Sequence, residues 1–236
     1  MASLNDIAGM IDHSLLKPTF TDQEIIDGCK IADQYKVASV CVRPGDVRLA
    51  KKLLQNSTVL VTTVIGFPHG STTMLSKITE AQEAIDNGCA ELDVVMHIGK
   101  MKSGEYDYVK KDLAAVVNLA HAQGVKVKVI FENCYLTKEE IKKATLICNE
   151  LNADWIKTST GYGTGGAEDE DLKIMRQHAL PHIQVKAAGG IRTLQRAIEV
   201  RNLGCTRFGC TATVAILEEL KNGVTAKTKA EASKEY

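Results

Sequence analysis

Residues 91–132 read ELDVVMHIGKMKSGEYDYVKKDLAAVVNLAHAQGVKVKVIFE, and they set the pattern for the whole chain. Glu91–Met96 is a short, mostly apolar run, and Glu105–Gln123 is a helix-length amphipathic run. Gly124 interrupts that run, and Val125–Glu132 is mostly apolar again. Strands covered on both faces lose the in-out alternation of a half-exposed sheet, so such runs point to parallel strands flanked by helices. Glycine at 124 supplies the left-handed conformation a helix C-cap needs, at no Cβ cost. The stretch is one βαβ unit.

The alternation continues in both directions. Strands are predicted at Met10–Ser14, Ala38–Val42, Val59–Ile65, Glu91–Met96, Val125–Glu132, Asp154–Thr158, Ile183–Ala187 and Thr206–Phe208. Helices are predicted at Asp22–Tyr35, Asp46–Gln55, Thr73–Asn87, Glu105–Gln123, Lys138–Leu151, Asp169–His178, Leu194–Asn202 and Thr213–Lys221. Gly88 and Gly204 repeat the position of Gly124, just ahead of a strand. About eight βα units, no linker and only four prolines predict an α/β chain folded as a single (β/α)8 TIM barrel over residues 1–236. An open doubly wound sheet is the competing architecture. The Lys/Glu/Ala-rich end, about 222–236, reads as a solvated helix or a flexible C-terminal tail.

Composition excludes several function classes. With 29 basic and 29 acidic residues the formal net charge is zero, so nothing at whole-molecule level favours nucleic acid or an anionic membrane. An anionic ligand would need a local site. No apolar run approaches bilayer length, and MASLNDIAGM lacks the basic start and apolar stretch of a signal peptide. Seven cysteines, an odd number without a C-x-x-C pair, argue against a zinc site or a thioredoxin-like motif and fit reduced thiols in a cytoplasmic protein.

Charge breaks the apolar rule inside three predicted strands: Asp93 in ELDVVM, Lys157 in DWIKTS and Lys186 in QVKAAGG. Burying an unpaired charge costs several kcal/mol, so each needs a reason. A structural ion pair is the bland one, but two ammonium groups against one carboxylate leave a positive excess. Chemistry supplies another. A lysine attacks a carbonyl only as the neutral amine, and its unperturbed pKa of about 10.4 leaves it protonated near neutrality. Desolvation and a second cation both favour the neutral form. Lys157 and Lys186 lie on strands separated by one helix, hence neighbours in a barrel. Together they predict imine chemistry, with Asp93 able to move protons. Gly189–Gly190 and Phe208–Gly209–Cys210–Thr211 follow the seventh and eighth strands, where barrels often bind phosphate with backbone N–H groups and a helix N-terminus. Thr211 and Arg192 would add a hydroxyl and a charge.

Other features carry less. Gly161–Gly166 matches G-x-G-x-x-G, but Lys186 stands where a dinucleotide site wants an acid, so the loop is expected to shape the pocket mouth. His13 and His97 lie near strand ends and are expected to pack or hydrogen-bond. Cys41 reads as a small core residue on a strand that can bring it to the site. His178 and His182 flank Pro181, which breaks the helix that would align them as metal ligands.

Four segments resemble the deoxyribose-phosphate aldolase family: IDHSLLKP at Ile11–Pro18, ELDVVMHIG at Glu91–Gly99, ADWIKTSTGYGTGGA at Ala153–Ala167 and VKAAGGIRT at Val185–Thr193. They occur in the family's order across nearly the whole chain. The resemblance implies reversible conversion of 2-deoxy-D-ribose 5-phosphate to D-glyceraldehyde 3-phosphate and acetaldehyde, without metal or other cofactor, in cytoplasmic deoxyribonucleoside breakdown. It implies an imine at Lys157, with Asp93 and Lys186 as proton donor/acceptor and pKa-lowering partner. Substrate contacts are expected from Asp12, Cys41, Thr158, Gly161, Gly189, Gly190, Gly209 and Thr211. Tyr162 stands where many members carry lysine, and Cys210–Thr211–Ala212 where serines are common. Tyr236 ends the chain, as an assisting tyrosine ends some relatives. Another imine-forming barrel aldolase, or a barrel that binds a sugar phosphate without turnover, remain the rival readings. Oligomeric state is not legible, although barrels of this kind commonly form homo-oligomers.

Overall fold

The computed structural model describes residues 3–222; Tyr236 and the predicted tail beyond 222 lie outside them. Eight parallel strands close a barrel in chain order: β1 (Ile11–Leu15), β2 (Ser39–Val42), β3 (Leu60–Ile65), β4 (Glu91–Val95), β5 (Lys126–Ile130), β6 (Trp155–Lys157), β7 (Gln184–Ala188) and β8 (Arg207–Cys210). Closure comes from β8 pairing with β1, Asp12 opposite Gly209 and His13 opposite Cys210. That pairing removes the free edges an open sheet would leave.

The helices are α1 (Leu4–Ala8), α2 (Asp22–Tyr35), α3 (Val47–Leu53), α4 (Met74–Asp86), α5 (Ile98–Lys102), α6 (Tyr106–Ala122), α7 (Lys138–Leu151), α8 (Asp169–His178), α9 (Leu194–Asn202) and α10 (Thr213–Asn222). Helices α1 and α5 were not predicted. Each is five residues long and held by its N-cap: a Ser3–Asp6 capping box starts α1, and the His97 ring accepts the Lys100 N–H at the head of α5. Strand β8 extends two residues past the predicted end, to Cys210, because Gly209 and Cys210 pair with β1. Gly88, Gly124 and Gly204 adopt φ of 93°, 73° and 91° as their capping role requires. Helices α2 and α7 reach the same turn with Lys36 and Asn152, both at φ 52°.

Strand alternation sorts the side chains. Val40, Val42, Leu92, Val94, Val127, Val129, Ile156, Val185 and Ala187 belong to one continuous buried core with the helix faces. The intervening residues of the same strands fill the barrel, and many are polar: Asp12, Ser39, Thr62, Asp93, Lys128, Lys157 and Lys186 are all buried. His13, next to Asp12, belongs to the opposite face and its Nδ1 lies 2.8 Å from Thr213 Oγ1 on α10. Most barrels stack bulky aliphatic layers here; this one stacks charge.

Candidate active site

Register assembles the site. Lys157 on β6 pairs with Lys186 on β7, which pairs in turn with Arg207 on β8, so the three point to the same side of the sheet. Asp93 on β4 pairs with Lys128 on β5. Both Lys157 Nζ and Lys186 Nζ donate to Asp93 Oδ2, at 2.9 and 2.7 Å. Asp93 Oδ1 accepts from Lys128 Nζ at 2.8 Å. Lys186 Nζ also sits 2.5 Å from Asp12 Oδ2, while Ser39 Oγ and the Arg207 guanidinium donate to Asp12 Oδ1. Glu91 closes the lower side, 2.5 Å from Lys128 Nζ and 2.8 Å from Arg207. The Trp155 ring lies beneath, 5.4 Å from the Arg207 guanidinium and 5.6 Å from Lys128 Nζ.

The three strand charges read from the sequence are therefore part of a set of seven. Four cations (Lys128, Lys157, Lys186, Arg207) meet three carboxylates (Asp12, Glu91, Asp93), so the ion-paired cluster carries one positive charge in excess. The cluster acts unevenly on its lysines. Burial pushes Lys157 below the usual lysine range and Lys186 adds to that push, which Asp93, its one carboxylate partner, only partly offsets. Burial acts on Lys186 too, but Asp12 and Asp93 together overcome it and hold it above the usual range. Lys128, with Asp93, Asp12 and Glu91 around it, is likewise held up against burial. Burial would raise Asp12 and Asp93, yet the surrounding cations hold both carboxyls well below the usual carboxylate range. A neutral Lys157 leaves three cations against three carboxylates.

Above the cluster is a narrow chamber of about 40 Å³, lined by Asp12, Cys41, Lys157, Gly161, Lys186, Gly189, Gly209 and Thr211 among others. It shares Gly161 and Gly189 with a wide cleft of about 800 Å³, whose walls are the Gly161–Gly166 loop, Gly189, Gly190, Arg192 and Arg196. A small apolar cluster of Leu16, Cys41 and Val64, with Phe67 against it, is separate from the main core; Leu16 and Cys41 also line the chamber. Burial pushes the Cys41 thiol up to about 11, which keeps it protonated and unreactive near neutrality.

The model of the DeoC/LacD family of aldolases matches residues 7–216, which contain every residue of the cluster. The chain belongs to that family. This aldolase is 48% identical over 217 residues to the deoxyribose-phosphate aldolase of Rhodopirellula baltica, covering 92% of this chain and 90% of that one. It is 49% identical over 219 residues to the enzyme of the same name from Thermococcus gammatolerans, covering 92% and 97%. Among solved structures, the tetrameric deoxyribose phosphate aldolase of Aeropyrum pernix superposes with a TM-score of 0.88 at 30% identity, covering 95% of this chain and 94% of that one.

Of the residues expected to touch substrate, the aldolase brings Asp12, Cys41, Gly161, Gly189, Gly209 and Thr211 to the chamber and Gly190 to the cleft. Thr158 is turned away from both. Its hydroxyl donates to the Ala188 carbonyl and accepts the Ala188 N–H, both at 3.1 Å, so it clasps the ends of β6 and β7 together. Asp93 lies behind the two lysines rather than on the chamber wall. His13 is sealed off by burial, which pushes it down to about 4, and His97 is spent capping α5. Lys128, Glu91 and Arg207 were missed. The signal for Lys128 was available: a lysine two residues into a strand covered on both faces has no solvent to reach. Glu91 and Arg207 open their strands and read as ordinary polar flanks.

Proposed function

We propose that this chain is a class I deoxyribose-phosphate aldolase, needing no metal or other cofactor. It would cleave 2-deoxy-D-ribose 5-phosphate reversibly to D-glyceraldehyde 3-phosphate and acetaldehyde. The observation that carries the reading is a pair of lysine nitrogens on one carboxylate oxygen, Asp93 Oδ2, inside a buried cluster with one cation too many. The names of the relatives at 48–49% identity point to the same substrate.

In this reading neutral Lys157 attacks the aldehyde carbon of the open-chain sugar and water leaves, giving a protonated imine. The C3 hydroxyl gives up its proton, the C2–C3 bond breaks, and its electrons move into the imine to form an enamine. Glyceraldehyde 3-phosphate departs; protonation of the enamine carbon and hydrolysis release acetaldehyde and restore the amine. Burial and, after it, the Lys186 cation favour the neutral amine of Lys157, and Lys186, facing the chamber, can hand protons to the reacting atoms. Asp93 touches both nitrogens and so relays protons between them. The phosphate is assigned to the wide cleft, where Gly189 and Gly190 let the backbone approach closely and Arg192 supplies charge. Thr211 would orient the sugar in the chamber.

The activity belongs to deoxyribonucleoside breakdown in the cytoplasm, and a homo-oligomer is expected, as the Aeropyrum pernix relative is tetrameric. The test is borohydride reduction with acetaldehyde present. A mass increase is expected on the peptide holding Lys157, absent in Lys157→Ala. A protein that binds the sugar phosphate but is inert to borohydride would be a binding module, and loss of turnover in EDTA would point to a metal-dependent aldolase.

A further inference from the structure

Glu132 follows β5 with φ 57° and ψ 63°. That left-handed region is disfavoured for any residue with a Cβ and is filled mostly by glycine, asparagine or aspartate. The glutamate is only 2% exposed, so its backbone conformation and its side chain are both held by what surrounds it. Its carboxylate is hydrogen-bonded by one residue of the loop after β6, Thr160. Thr160 N–H donates to Glu132 Oε1 at 3.1 Å, and the Thr160 hydroxyl donates to Glu132 Oε2. With its proton committed to the carboxylate, Thr160 Oγ1 keeps a lone pair for the Tyr162 N–H, which it accepts at 3.0 Å. Carboxylate, hydroxyl and amide thus form a relay that fixes the backbone on both sides of Gly161, one of the two residues shared by chamber and cleft. The contact is tight, since a Cβ on Gly163 would come within 3.0 Å of Glu132 Cδ. The far end of the loop is tied separately, by the Ala167 N–H to the Gly189 carbonyl at 3.1 Å.

We propose that Glu132 is a positioning residue: acting through Thr160, it sets the Gly161–Gly163 wall against which the phosphate-bearing end of the substrate lies. It makes no hydrogen bond or ion pair with Lys157, which acts on its carboxylate only through space, and its effect is on where the distal end of the substrate is held. The proposal rests on the deoxyribose-phosphate aldolase reading above.

The experiment compares Glu132→Gly, which suits the left-handed backbone while removing the carboxylate, with Thr160→Val, which removes the middle of the relay. KM for 2-deoxyribose 5-phosphate is expected to rise about tenfold in each, roughly the worth of one lost hydrogen bond, with kcat within about threefold of wild type. Borohydride trapping of acetaldehyde on Lys157 should keep its rate within about threefold in Glu132→Gly, because Glu132 lies outside the chamber that Thr160 and Gly161 line beside Lys157. The double variant should be no worse than either single one. An unchanged KM overturns the proposal, and so does an equal loss of kcat and acetaldehyde trapping, which would mark a general packing role. A wild-type protein that traps no acetaldehyde and cleaves no deoxyribose 5-phosphate strikes the functional reading itself, and this proposal with it.

Discussion

At the scale of the residue, Lys157 and Lys186 differ in their partners rather than in their chemistry. Both are buried amines on Asp93 Oδ2, but Lys186 has Asp12 as well, and Lys157 has no second carboxylate within ion-pair distance among the described residues. The nucleophile proposed above is the lysine with the fewest carboxylate partners in the cluster. A pH dependence follows. Imine formation needs the neutral amine, so trapping of acetaldehyde should rise with pH and level off below the range of an ordinary lysine. In Lys186→Met the repulsion from Lys186 is gone and Asp93 Oδ2 is left to Lys157 alone. Both changes favour the ammonium form of Lys157, so the rising limb of the trapping profile should move to higher pH. A limb that stays put would mean that Lys186 does not set the state of Lys157.

At the scale of the element, the site is made by strand ends and by the loops that leave them. The loops after β6 and β7 meet backbone to backbone: a Cβ on Gly166 would lie 2.5 Å from the Gly189 carbonyl oxygen, and Gly189 itself sits at φ 82°. No flexible side chain is there to yield, so Gly166→Ala must move one loop away from the other. Because these loops wall the cleft assigned to phosphate, KM for the phosphosugar should rise roughly ten- to a hundredfold, the scale expected of a displacement near 1 Å. Gly45→Ala, where a Cβ meets nothing within 4 Å, is the control and should leave KM unchanged. Helix caps, by contrast, could be read locally: Thr21 and Thr137 each open a helix three residues before a glutamate, and each forms a complete capping box.

At the scale of the whole molecule, the charge cluster links six of the eight strands, drawing Asp12 from β1, Glu91 and Asp93 from β4, and Lys128, Lys157, Lys186 and Arg207 from β5 to β8. It is a network that holds the barrel's interior as well as a site. Its excess charge predicts an asymmetry in stability. Asp93→Ala strips three lysines of a shared carboxylate and should cost about 3–5 kcal/mol in urea unfolding at pH 7, as for other broken buried pairs. Lys157→Met removes the surplus cation while keeping its volume, and should be neutral or mildly stabilising although it abolishes imine trapping. Equal destabilisation by the two would mean that the cluster is not over-charged as counted.

The sequence by itself determined the alternation of strand and helix, the glycine C-caps, the count of eight units and the presence of charge where strands should be apolar. These are local properties, carried by period, capping and side-chain type within a few residues. Only the tertiary structure decided which charges meet. Asp12 and Arg207 are 195 positions apart and become partners because β8 closes on β1. Glu132 and Thr160 meet across two strand ends, and the hydroxyl of Thr158 turned out to clasp the neighbouring strand instead of facing the chamber. Barrel closure converts positions along a chain into positions around a ring, and a buried charge takes its ionisation from the ring neighbours it acquires, not from the residues beside it in sequence.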